Sequence, residues 1–283
     1  MKFSRGFSLI ELMISSVLSL MLLAVIVKLY QNNQTIYKHQ ESMALIQENA
    51  RVAVHMLHTG IQSAGYIGCA RIDNIKIDSD SEQKVSPKKI IGVYKDSQIL
   101  PGTDAIVIRH MNTQTVEFET VPRKGTKTLW LTADKGLKEG DEIVIADCIQ
   151  MQTAKILQKS TNQLRIEPAI QYSFSKQAQI GRLIESRFYI ADTERQNNRG
   201  KPIFSLYWED ISRTKLQSEM VEGVEKMNIR YGVLLSRGLV YQSGEQVRDW
   251  SKVRTVQISL LLTNSEQDLK REWNSQITLR GLL

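Results

Sequence analysis

The residues with the most chemistry in their spacing are Gly6-Phe7-Ser8-Leu9-Ile10-Glu11, preceded by Lys2 and Arg5 and followed by sixteen uncharged residues from Leu12 to Val27. Glu11 is a lone carboxylate in an apolar run. Such a group costs about 2.5 to 3.5 kcal/mol in hydrocarbon unless it finds a partner, so its presence points to a function. Cys69 and Cys148 are the only cysteines, and without CxxC spacing they form no zinc site. His55 and His58 lie one helical turn apart, but catalytic zinc takes three protein ligands and the H-E-x-x-H order is missing, so they read as solvated helix residues. Gly60 to Gly65 is one residue too long for G-x-S-x-G, and Gly125-Thr126-Lys127-Thr128 lacks the earlier Gly of a phosphate-binding loop. No catalytic set, metal site or cofactor is expected, and the chain does not read as an enzyme.

The element that must position Glu11 is a helix. Residues 7–27 would rise about 32 Å at about 1.5 Å per residue, enough to cross a hydrocarbon core of about 30 Å. Lys2 and Arg5 place the N-terminus in the cytoplasm, and everything after Lys28 lies across the membrane. An ordinary secretory signal has a shorter apolar region and an A-x-A site, both missing here. An uncleaved signal anchor leaves Glu11 unexplained. In the oxidising compartment so implied, Cys69 and Cys148 are expected to form a disulfide, with two separately buried thiols as the alternative. The bridge would close a long loop and contribute about 4 to 4.5 kcal/mol on the chain-entropy view.

The start of the chain resembles the leader and cleavage site of type IV prepilins. The resemblance implies that a membrane-embedded prepilin peptidase cuts between Gly6 and Phe7 and methylates the new amine. It also implies that Glu11 guides assembly by meeting the positive Phe7 end of a neighbouring subunit.

Beyond Val27 the apolar pattern becomes periodic, with Met43, Ile46, Ala50, Ala53, Leu57 and Ile61 three or four apart. No Pro precedes Pro87 and no Gly lies between Gly6 and Gly60, so one unbroken rod of about 87 Å is predicted from Phe7 to Ala64. Glu48 and Arg51 support its polar face, and Gly65 is a plausible C-cap. The segment from Gln47 to Cys69 resembles minor pilins of the PilW type through Gln47, Glu48, Asn49 and Arg51, then Ala64, Gly65, Tyr66, Gly68 and Cys69. Weaker patches of the same resemblance lie at Gly140 to Cys148, Val221 to Tyr231 and Gln276 to Arg280; Arg280-Gly281 departs from the commoner Arg-Asn.

Residues 70–89 are polar and read as a loop; Asp78 to Lys89 lacks the Gly and the final Glu of an EF-hand. Strands are predicted at Asp104 to Met111, Gln114 to Val121, Thr128 to Thr132, Glu142 to Ile149, Leu183 to Ala191, Ile203 to Trp208, Val224 to Leu235, Val253 to Thr263 and Ser275 to Arg280. Hairpin turns are predicted at Pro101-Gly102, Lys124-Gly125, Lys135-Gly136 and Glu139-Gly140, and an exposed loop at 197–200. The expected fold class is α+β, a long N-terminal helix, transmembrane in its first half, packed on a largely antiparallel sheet. The organisation is a leader at 1–6, a helix at 7–64 spanning the membrane at 7–27, and a β-rich periplasmic domain at 65–283.

Net charge is +7, in scattered groups such as Arg195, Arg199 and Lys201, so nucleic acid is not an expected partner, although some minor pilins serve DNA uptake. The resemblance implies a minor pilin of the inner membrane, later at the pilus tip, that helps initiate and cap a type IV pilus. Its partners would be other minor pilins, the major pilin, the prepilin peptidase, the inner-membrane assembly platform and a tip adhesin. Val224 to Tyr231 and Val253 to Leu262 are also similar to type II secretion pseudopilins of the J class, the alternative reading. A membrane-anchored periplasmic enzyme is a third, without a residue set to support it.

Overall fold

The structure, a computed structural model, describes residues 8–69, 90–133, 135–213, 216–264 and 269–279. The predicted loop at 70–89 and the Arg280-Gly281 departure lie outside them. Helix α1 runs unbroken over Leu9–Ser63, 55 residues. Its upper half buries Ser42, Ile46, Ala50, Ala53, Leu57 and Ile61, a single stripe at four- and three-residue spacing. Ser42 replaces Met43 as the lowest buried position because it stands in line with Ile46 and Ala50, whereas Met43 sits on the flank and is half-buried. Gly65 follows the C-cap residue with φ 75°, the left-handed conformation that stops a helix. Its N–H donates to the Arg109 carbonyl at 2.9 Å, so the helix end is handed directly to a strand.

The strands are β1 Ile91–Val93, β2 Ile106–Met111, β3 Val116–Thr120, β4 Thr128–Leu131, β5 Glu142–Ala146, β6 Met151–Lys159, β7 Gln163–Glu167, β8 Gln179–Gln196, β9 Pro202–Asp210, β10 Leu216–Glu222, β11 Val224–Leu235, β12 Gly238–Ser243, β13 Val253–Asn264 and β14 Leu269–Thr278. All pair antiparallel. One sheet has the order β12-β11-β13-β14. The other is organised by β8, which is long enough to serve two structures. Its upper part lies between β2 and β9, with β1 and β10 completing the layer.

The start of β8 closes a barrel. Ile180 has Val116 of β3 on one edge and Ile145 of β5 on the other, and the order β3-β4-β7-β6-β5 completes the ring. Alternate residues fill its interior, among them Phe118, Leu129, Leu131, Ile143, Ile156, Leu164, Ile166 and Ile180. Closure leaves no free edge in this unit. The expected long helix on an antiparallel β domain is therefore present, with the strands arranged as a barrel and two layers. Lys135-Gly136 and Glu139-Gly140 do make turns, with φ 73° and 83°. They do not make a hairpin, because β4 pairs with β3 and β7 while β5 pairs with β6 and β8.

The main core sits between α1, the four-stranded sheet and the β2-β8-β9 layer. β5 shows why its sequence is apolar after Glu142: Ile143 and Ile145 enter the barrel, while Val144 and Ala146 face the main core. The helix comes so close to β8 that a Cβ at Gly60 would lie 2.7 Å from a ring carbon of Phe188. Gly60→Ala should gain about 1 kcal/mol of helix propensity and lose about 1 to 3 kcal/mol to overpacking, a net destabilisation. Chemical denaturation checks this, and Phe188→Leu in the same chain should recover part of the loss. A Gly60→Ala protein more stable than wild type would refute the close contact.

Candidate functional site

At the foot of α1, Glu11 occupies the first turn, where a carboxylate complements the positive end of the helix dipole. It accepts the Ser8 backbone N–H at 3.1 Å. Among the described residues this is the one donor to the carboxylate, and it is neutral. Ser15 and Ser16 donate to the Glu11 and Met13 carbonyls at 2.6 and 2.9 Å, which removes their hydroxyls as a cost in an apolar setting. The large apolar side chains from Leu9, 78% exposed, to Val27, 47% exposed, have no cover among the described residues. Among the described residues α1 alone is long and apolar enough to cross a membrane. Gly6 and Phe7 lie outside the described residues.

Higher on the helix, the four residues of the Q-E-N-x-R segment separate into two roles. Gln47, Glu48 and Arg51 are exposed, and Arg51 pairs with Glu48 at 2.7 Å. Asn49 turns inward and donates from Nδ2 to the Glu222 carbonyl at 3.0 Å. It thereby fixes the turn between β10 and β11. Gly223 in that turn has φ 80°, and a Cβ there would lie 2.6 Å from the Thr263 carbonyl oxygen, so the turn admits only glycine. His55 is exposed and His58 half-buried, and both border a groove between α1 and Trp273 of β14. Among the described residues no group of three or more His, Cys, Asp or Glu is placed to hold a metal ion.

Cys69 and Cys148 are bonded to each other, with 5.1 Å between their Cα atoms. The bridge joins the segment just after α1 to the turn just after β5, and so ties the helix to the barrel. Buried Asp147 shapes that turn by accepting the N–H groups of Ile149 and Gln150, both at 2.9 Å, and of Ser175 at 3.1 Å. A second tie is ionic: Arg213 bonds Asp141 at 2.7 Å. Burial pulls the Asp141 carboxyl up, but bonds from Arg213 and the Lys138 N–H outweigh it and hold it below its ordinary value. A third joins Arg182 of β8 to Asp210 of β9 at 2.9 Å. Cys148→Ser should cost about 2 to 4 kcal/mol of stability, because the unfolded chain regains the freedom of a long loop. Denaturation of oxidised wild type, reduced wild type and the variant checks it; three coincident curves would show that the bridge adds nothing.

Residues 187–282 match the family of type IV pilus-assembly protein W, and residues 1–27 match the prokaryotic N-terminal methylation motif. No curated protein and no solved structure matches the chain. The first matched span begins inside β8, at the residue where Arg187 opposes Glu209, and takes in β9 to β14. The barrel strands β3 to β7 lie outside both matched spans.

Proposed function

We propose that this chain, which carries a PilW-type region and a prepilin methylation motif, is a minor pilin: a membrane-anchored structural subunit that helps prime and cap a type IV pilus. The observation that carries the reading is one unbroken helix of 55 residues whose foot lies in the span matched by the methylation motif and whose upper half packs on β10, β13 and β14 of the other matched span. Its foot is apolar on every side, which suits a bilayer first and a bundle of pilin helices afterwards. Its upper half is immobilised in the domain core, so a displacement of the anchor moves the whole domain.

In this reading prepilin peptidase cuts between Gly6 and Phe7, leaving a methylated Phe7 amine four residues from Glu11. The domain stands in the periplasm, where the Cys69–Cys148 bridge forms. Helices of several minor pilins then bundle on the assembly platform, and major pilin subunits enter beneath them. The protein acts as a scaffold and its globular part stays at the tip. Intact-mass and N-terminal analysis of protein purified from membranes tests this. The expected N-terminus is N-methylated Phe7; an uncut chain, or a cut elsewhere, in cells with active peptidase would end the prepilin reading.

A further inference from the structure

Outside the family-matched region, the barrel presents a polar hollow beside an exposed indole. On β4 the pattern is strict: Leu129 and Leu131 fill the interior, and Trp130 points outward, 49% exposed. Trp130 stands opposite Gln163 of β7, and Thr128 opposite Arg165. Gln163, Thr128 and Arg165 line a hollow of about 380 Å³ together with Gln158, Lys159, Ser160 and Glu139, a size at the lower end of ligand sites. No apolar side chain lines it. The hollow is cut into a closed barrel that the disulfide ties to the helix end.

The chemistry of this surface narrows what it could hold. A protein partner of ordinary affinity would require an apolar centre around the tryptophan, and the hollow beside Trp130 supplies hydroxyls, amides and charges instead. A nucleic acid would require a track of available cations. Here Lys127 pairs with Glu167 at 3.6 Å, and Lys159 donates to the Leu137 carbonyl at 2.6 Å. Glu117 and Glu119 are exposed on β3, the strand next to that of Trp130, and would repel phosphate. What remains is a ligand with one apolar flat face and many hydroxyls. An indole takes the C–H face of such a ring, and planar amides and a guanidinium take its hydroxyls in pairs.

We infer that the outer face of the barrel at Trp130 is a binding site for a carbohydrate ring. The site is independent of pilus assembly: it would stand even if the prepilin reading failed. The test uses the full chain in lipid nanodiscs, which avoids sugar-based detergents. Saturation-transfer NMR is recorded with methyl glycosides of the common neutral hexoses and N-acetylhexosamines, and with a single-stranded thymidine oligonucleotide. At least one glycoside should bind in the millimolar range. Trp130→Ala should weaken it roughly tenfold or more, the loss of one aromatic stacking contact. Gln163→Ala should weaken it as well, and Trp273→Ala should leave it unchanged. Trp130 and Gln163 face outward, so near-ultraviolet circular dichroism of these variants should report an intact fold. Absence of binding by every glycoside, equal binding by the Trp130→Ala protein, or binding of the oligonucleotide in place of sugars would each overturn the assignment.

Discussion

Glu209→Ala should cost the folded domain about 3 to 5 kcal/mol. Glu209 of β9 and Arg187 of β8 face each other across the strand pair and form an ion pair. Both are deeply buried, 2% and 6% exposed at their side chains. The Arg187 guanidinium also lies 4.4 Å from the Tyr94 ring centre and 5.1 Å from that of Tyr189, which supply a polarisable but uncharged setting. Burial first, and Glu209 next, push the Tyr189 hydroxyl up to about 12, so it stays neutral at any physiological pH. Removing Glu209 leaves a buried cation whose remaining counter-charge is Asp96, 3.3 Å away and partly solvated. Replacing both partners, Arg187→Leu with Glu209→Leu, should recover most of the loss, because a buried pair is worth little against apolar residues of similar size. Denaturant titration of the two variants separates these outcomes. A Glu209→Ala protein within about 1 kcal/mol of wild type would mean that Asp96 takes over the whole charge.

Parts of this architecture are written in local sequence. The stripe from Ile46 to Ile61 announces the buried helix face because each member contacts the same core. β11 has the predicted ends, Val224 and Leu235, and the register shift between Val224 and Lys226 explains why Val224 and Met227 are both buried despite their odd spacing. The barrel is not written locally. β6, MQTAKILQK, is rich in helix formers and becomes a strand because β5 and β7 flank it. Closure depends on both edges of β8, a strand that starts four residues before its predicted beginning. Its far end, Thr193 to Gln196, is mostly exposed and lacks the alternation by which strands are found. Among the candidate site residues, the cysteine pair was legible from composition and compartment alone. Asn49 stood in a recognisable segment, but its partner is a backbone carbonyl 173 residues away, which no side-chain pattern reveals.

Glu11→Leu should leave membrane insertion and peptidase cleavage intact and lower piliation by about tenfold or more, a coupling of about 1.4 kcal/mol or greater. The helix itself has no reason to fail, since leucine is a good helix former and the lost Ser8 contact is a single exposed terminal bond. In the bilayer the variant is more at ease than wild type, because a carboxylate there carries a desolvation cost. On the proposed assembly role that cost favours assembly: a neighbouring subunit's positive Phe7 end would offer Glu11 a counter-charge, which the Ser8 N–H cannot. Leucine removes both the cost and the gain, so the variant stays in the membrane with less reason to leave it. Glu11→Gln distinguishes pairing from capping. Glutamine still accepts from Ser8 but carries no charge, so it should assemble as poorly as leucine if the charge pair matters, and as well as wild type if the helix cap does. Crosslinking to other minor pilins in the inner membrane, with counts of surface pili, gives the readout. Normal crosslinking and piliation in both variants would remove Glu11 from assembly altogether.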